Sequence, residues 1–194
     1  MLLVGITGGI GSGKTTACLV FEKLGIPVYY ADIQAKQLMN TDLELKSLLE
    51  GYFGSDIYHD GIVDRRRMAE IIFTDRTALE KVNSWVHPAV ARDFEHWCTL
   101  QAAPYVLEES AILFESNTTH RFGKIILVTA PDAVRIERVC ARDQITSEIA
   151  RERIANQWPE EKKIALADYI IYNDNSRMVT PQVMEIHRQL LDIR

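Results

Sequence analysis

The sequence predicts an α/β protein of three layers, with a mainly parallel five-stranded sheet, helices on both faces and a long helical insertion. Three observations carry this prediction. Short apolar runs recur along the chain without polar alternation, which marks strands buried on both faces. Segments of helical periodicity separate them, and a glycine-rich turn joins the first run to the first helix. The 194 residues, 47% hydrophobic and 25% charged, are enough for one large unit with an embedded subdomain and exclude a chain disordered throughout.

Leu2, Leu3, Val4, Gly5 and Ile6 form the first strand, stopped by Gly8 and Gly9. Ala17, Val20, Phe21 and Leu24 then fall at helical spacing, and Gly25 stands where helices commonly end in a left-handed residue. Pro27 to Tyr30 make a second strand that runs into Ala31 and Asp32. Strand, helix, strand is the unit that right-handed crossovers build into a parallel sheet. From Asp32 to about Ala102 the pattern is helical, and the break between Gly51 and Gly61 reads as a loop with no strand in it. Pro88 suits a first helical turn, so one helix is expected to start near His87, with Val90, Phe94 and Trp97 on one face. Tyr105–Leu107, Lys124–Thr129 and Tyr169–Tyr172 supply the third, fourth and fifth strands. The stretch from Pro181 to Ile193 reads as a last helix packed through Val183, Ile186 and Leu190.

The formal charge of −5 gives no global pull toward nucleic acid or an anionic membrane, so neither is expected as a partner and any basic site must be local. Cys18, Cys98 and Cys140 are odd in number and far apart, which points to neither a disulfide framework nor a zinc site and suits a reducing cytoplasm. The opening apolar run is too short and has no basic residues ahead of it for a secretion signal, and no run of 18 apolar residues offers a membrane span.

Gly8-Gly9-Ile10-Gly11-Ser12-Gly13-Lys14-Thr15 fits the P-loop pattern G-x-x-x-x-G-K-[ST] between a buried strand and an amphipathic helix. The three-layer fold is thereby expected to be that of the P-loop NTPases. Glycines let backbone N–H groups close around phosphate without obstructing side chains. Lys14 would set a point charge on the β- and γ-phosphates of ATP, the Thr15 hydroxyl would ligate Mg²⁺, and Thr16 would donate to the α-phosphate. A dinucleotide fingerprint fails because its third glycine would fall on Lys14. The D-x-x-G and N-K-x-D motifs of GTPases are absent from the sequence.

A small-molecule kinase needs an acceptor-side base, a carboxylate supporting Mg²⁺ and arginines over the transferring group. Asp32, at the end of the second strand, is either that base or a helix N-cap. Glu108 and Glu109 end the third strand, where a carboxylate either holds a metal-bound water or caps and solvates; Glu109 is favoured for the metal. Arg135, Arg138 and Arg142 share one arc of a helix, and Asp143 alone does not match their charge. Thr146 or Ser147 then starts a helix carrying Arg151 and Arg153, which together make a basic segment fit to close over ATP. Arg65, Arg66 and Arg67 suit an anionic acceptor, or a solvated helix face. His87 reads as a brace, and no histidines have metal-ligand spacing. Trp85, Trp97 and Trp158 read as packing residues, one of which could border a nucleotide pocket.

Together these motifs resemble the dephospho-CoA kinase family over nearly the whole chain. The resemblance rests on Ile6 to Thr15, Ala31-Asp32-Ile33-Gln34-Ala35, Asp64-Arg65, Val86-His87-Pro88 and Leu113-Phe114-Glu115. It continues through Arg138-Val139-Cys140-Ala141-Arg142-Asp143, Gln157, Ala167-Asp168-Tyr169-Ile170-Ile171 and Asn173. It implies a core of 1–31, 103–142 and 165–194, a helical acceptor subdomain at about 32–102 and a lid at about 143–164. It also implies ATP and dephospho-CoA as substrates, with Asp32 as the base and Arg142 as a lid arginine over the phosphoryl group. Arg138 and Asn173 fall at the ATP site, and Arg65, His87 and Pro88 in the acceptor's motif regions. Glu109 stands where the family usually has aspartate, one methylene longer, which would lengthen its contact with metal or acceptor. A kinase acting on another small acceptor, and an ATP-binding regulator without transfer, are the alternatives. The second has no use for an acceptor-side base.

Overall fold

The computed structural model describes residues 1–193. The chain divides into two compact units, one formed by Met1–Tyr30 with the chain from Gln101 onward, the other by Ala31–Leu100.

The first unit opens with β1 (Leu2–Thr7), α1 (Lys14–Lys23) and β2 (Val28–Tyr30). Helix α1 buries Ala17, Cys18 and Phe21. Leu24, expected in that stripe, is exposed because it already lies past the last helical residue. Gly25 follows with φ 82°, the left-handed residue that stops the helix.

The second unit holds α2 (Ala31–Thr41), α3 (Leu43–Phe53), β3 (Tyr58–His59), β4 (Ile62–Val63), α4 (Arg65–Thr74) and α5 (Arg76–Thr99). Its core includes Met39, Leu49, Ile57, Met68, Val82 and Phe94. Two expectations fail here. The segment read as a loop contains the antiparallel hairpin β3–β4, turned by Asp60 (φ 51°) and Gly61 (φ 80°), and an Asp-Gly pair is well suited to that turn. The hairpin is fastened to α2 by Tyr58 Oη donating to Met39 O at 2.6 Å and Val63 N to Asn40 Oδ1 at 2.9 Å. No helix starts at His87, because Pro88 lies inside α5. That helix begins instead at Asp75, whose carboxylate accepts from Thr77 N at 2.8 Å and Ala78 N at 3.2 Å. Val86, Ala89 and Val90 are buried on both sides of Pro88, and this packing offsets the hydrogen bond that proline removes.

The first unit resumes with β5 (Tyr105–Glu109), β6 (Lys124–Thr129), α6 (Asp132–Asp143), α7 (Ser147–Ala155), α8 (Glu160–Ile164), β7 (Tyr169–Tyr172) and α9 (Val179–Leu191). The five strands of this unit form one sheet in the order β2-β5-β1-β6-β7, with every pairing parallel. Alternate residues of β6 show why its sequence is apolar throughout. Ile126 and Val128 join Val4, Phe21, Ile171 and Val183 in the core under α1 and α9, whereas Ile125 and Leu127 join Phe114, with Trp158 and Ile164 packed against them. The order places β1 at the switch point, where chain connections leave in opposite directions and the carboxyl ends of strands open a crevice. In register, Ile6 faces Glu109 of β5 and Thr7 faces Leu127 of β6. Among the described residues no helix is long and apolar enough to cross a membrane, and the three cysteines form no disulfide.

Candidate active site

The loop from Gly8 to Gly13 leaves the carboxyl end of β1 and turns into α1. Ser12 N donates to Gly9 O at 3.0 Å to close the turn, and Asn173 Nδ2 donates to Ser12 O at 2.9 Å from the end of β7. Gly13 has φ 90°, and a Cβ there would run into Asn173 Nδ2. At Gly9 a Cβ would strike the Arg135 guanidinium. Only glycine lets the loop lie this close to both neighbours. No side chain caps the first turn of α1, so its N–H groups and the positive end of its dipole are available to an anion.

Lys14, first residue of α1, donates through Nζ to Gly8 O at 2.9 Å and stands 3.8 Å from Glu109 Oε1. Glu109 and Glu108 are consecutive in β5 and therefore face opposite sides of the sheet. Glu108 is buried with Arg121 Nη1 3.6 Å from its Oε2, a charge contact too long for a hydrogen bond. Burial pushes the Glu108 carboxyl up to about 7, a rise that Arg121 only partly offsets. Of the two, Glu109 is the one beside the loop lysine.

The arginine arc differs from expectation. Each arginine finds acceptors within the protein that the sequence leaves scattered, carboxylates for Arg135 and Arg142 and neutral oxygens for Arg138. Arg135 is only 3% exposed. It donates to Ile10 O (3.0 Å), Asp132 Oδ1 (3.0 Å) and Glu160 Oε2 (3.4 Å), so it is built into the loop's support. Arg138 lies along the loop, with Nη1 3.4 Å from Gly11 O and Nη2 bonded to Asn173 O at 3.1 Å and Asn175 Oδ1 at 2.8 Å. Arg142 is exposed and paired with Asp143 (2.7 Å), which also takes Arg153 at 2.8 Å. The sequence reading missed Asn175. It also missed the pair formed by Lys163 Nζ and Glu115 Oε1 at 3.0 Å, which ties α8 to the segment after β5. Trp158 lines a cavity of about 650 Å³ beside Asp132, Arg135, Glu160 and Tyr172, and Lys162 covers its ring 3.2 Å from the centroid.

Asp32, Arg65, His87 and Pro88 belong to the second unit. Asp32 is the second residue of α2, inside the helix rather than at its N-cap, and its exposed carboxylate has no partner among the described residues. Arg65 opens α4 without a partner among the described residues, whereas Arg66 pairs with Glu70 at 3.2 Å and Arg67 with Asp56 at 2.6 Å. His87 is half-buried in α5, and burial lowers its pKa, which favours the neutral ring.

A glycine-rich loop of P-loop pattern with its lysine, set at the switch point of a parallel sheet ordered β2-β5-β1-β6-β7, defines a P-loop kinase fold. The fold agrees with that of shikimate kinase from Bacteroides thetaiotaomicron, at 16% identity and a TM-score of 0.55 over 97% of this chain and 98% of that one. More specifically, the chain belongs to the dephospho-CoA kinase family, whose model matches residues 2–178. Dephospho-CoA kinase of Porphyromonas gingivalis is 40% identical over 187 residues, 96% of this chain and 93% of that protein. The Chlorobaculum tepidum dephospho-CoA kinase is 36% identical over 201 residues, 99% of this chain and 96% of that protein. The crystallised dephospho-CoA kinase of Campylobacter jejuni superimposes with a TM-score of 0.71 at 25% identity, covering 97% of this chain and 96% of that one.

Proposed function

We propose that this chain transfers the γ-phosphoryl group of ATP to the ribose 3′-hydroxyl of dephospho-coenzyme A, giving coenzyme A and ADP. Membership of the family carries the choice of reaction. The observation that carries its placement is Lys14 at the head of α1, held between Gly8 O and the Glu109 carboxylate.

Residues of the loop bind the triphosphate through Gly8, Gly9, Gly11, Ser12 and Gly13, with Lys14 exchanging Gly8 O for the β- and γ-phosphates and Thr16 donating to the α-phosphate. Arg138 and Asn173 border the same loop and complete the nucleotide side. Thr15 and Glu109 offer a hydroxyl and a carboxylate, hard oxygen donors that fit Mg²⁺, an ion that takes one or two protein ligands and fills its shell with phosphate and water. Held there by Thr15 and Glu109, such an ion would neutralise charge developing on the transferring group. No cluster of three or more His, Cys, Asp or Glu able to hold a metal is found among the described residues.

Asp32 orients the 3′-hydroxyl and takes its proton, and its lack of an internal partner leaves both carboxylate oxygens for that task. Arg65 meets a phosphate of the acceptor, being the arginine of its run with no carboxylate partner among the described residues, and His87 and Pro88 shape that acceptor's seat. Residues 32–102 serve as the acceptor subdomain and 143–164 as the lid. Arg142 leaves its exposed pair with Asp143, worth little in water, to meet the phosphoryl group. A cytoplasmic setting suits three cysteines outside disulfides.

The test is ADP release from Mg-ATP with dephospho-CoA, AMP, shikimate or no acceptor, with product mass recorded. Dephospho-CoA alone should gain one phosphate. Transfer to a different acceptor would overturn the substrate, and ATP binding without transfer to any acceptor would favour a regulator.

A further inference from the structure

Ile10, at the apex of the loop, is held from both sides by side chains distant in sequence. Its N–H donates to Gln157 Oε1 at 2.8 Å, and its carbonyl accepts from Arg135 Nε at 3.0 Å. Arg135 Nη2 lies 3.4 Å from the same Gln157 oxygen, and Gln157 Nε2 reaches Ala111 O at 3.4 Å. Arg135 is in turn fixed by Asp132 and Glu160. The two peptide planes that meet at Ile10 are therefore both clamped.

The clamp has a directional consequence. In a trans peptide the N–H points opposite to the C=O. Drawing Ile10 O toward Arg135 therefore turns the Gly11 N–H away from the guanidinium, and drawing Ile10 N–H toward Gln157 turns Gly9 O the other way, where it accepts Ser12 N at 3.0 Å. Gly8, Gly9, Gly11 and Gly13 make this loop the most conformationally permissive stretch of the chain, so its ordering must come from outside it.

We propose that Gln157, with Arg135, is a positioning residue that presets the phosphate loop for ATP by fixing the peptides on either side of Ile10. Gln157 lies two residues beyond α7, so the same contact ties the lid segment to the loop. The inference rests on the reading of this loop as the ATP site. It further implies that the Ile10 N–H serves Gln157 and not a phosphate.

The experiment compares Gln157→Met, which keeps size but loses the acceptor, with Gln157→Glu, which keeps an oxygen for Ile10 N and a partner for Arg135. Full-length wild type is assayed beside them with dephospho-CoA and Mg-ATP. Gln157→Met should raise KM for ATP about tenfold, the scale of one buried hydrogen bond, and leave KM for dephospho-CoA unchanged. Gln157→Glu should recover most of the loss. A Gln157→Met enzyme with wild-type KM for ATP, or equal defects in the two variants, would overturn the proposal. Amide exchange supplies a readout that needs no variant: in nucleotide-free wild type the Ile10 N–H should be protected, and rapid exchange there would also overturn it. If the wild type itself transfers no phosphate, the reading of the site fails instead, and the Ile10 protection still tests the clamp.

Discussion

Lys163 is fully buried, and its ammonium meets one carboxylate oxygen, Glu115 Oε1, at 3.0 Å. The same oxygen accepts from Trp158 N at 3.1 Å, so the pair joins α8 and the approach to it with the segment after β5. In Lys163→Met the apolar stem is replaced in kind and the charge is lost, leaving the partly buried Glu115 without its cation. Removing one partner of a buried pair costs about 4 kcal/mol. In a protein of this size each kcal/mol moves Tm by about 3 °C, so the midpoint should fall by about 12 °C. Lys163→Met/Glu115→Gln removes the stranded charge and keeps an acceptor for Trp158 N, and should regain at least half of that fall. Thermal unfolding followed by circular dichroism at pH 7.5 reads both values. A single variant within about 2 °C of wild type, or a double variant no more stable than the single, would refute the reasoning.

Two further outcomes follow from the site. Glu108 titrates at about 7 in the fold against 4.5 in the unfolded chain, so the native state holds more protons between those values and stability should fall as pH rises from 4.5 through 7. The full effect is about 3 kcal/mol; Glu108→Gln should flatten the stability profile between pH 4.5 and 7, and an unchanged profile would contradict the assignment. Arg65→Ala should raise KM for dephospho-CoA about tenfold, the scale of one charge-assisted contact, with KM for ATP unchanged; steady-state kinetics with each substrate varied decides it.

The sheet and the loop were legible because each rests on local signals. Strands such as Ile125–Val128 are apolar on both faces, and a run of glycines before Gly13-Lys14-Thr15 has few uses other than holding phosphate. Pro88 misled because a first-turn proline and a proline tolerated inside a long helix look alike until the packing of Val86, Ala89 and Val90 is known. The Asp60-Gly61 turn was present in the sequence but masked by the helical character of its surroundings. Arg135 was harder to read. One of its carboxylates, Asp132, is three residues away, but Glu160 and the Ile10 carbonyl come from other parts of the chain, and no local pattern predicts a buried guanidinium. Lys163 was hidden similarly, since Glu160-Glu161-Lys162-Lys163 reads as a solvated helix until the fold turns its last lysine onto Glu115.

The most direct test of the account is Asp32→Asn, assayed for Mg-ATP affinity by calorimetry and for phosphoryl transfer to dephospho-CoA in a single turnover. The side chain keeps its shape and loses its capacity to accept the proton. ATP affinity should be unchanged, and transfer should slow on the order of 10²-fold or more. Transfer at the wild-type rate would contradict the assignment of Asp32 as the base.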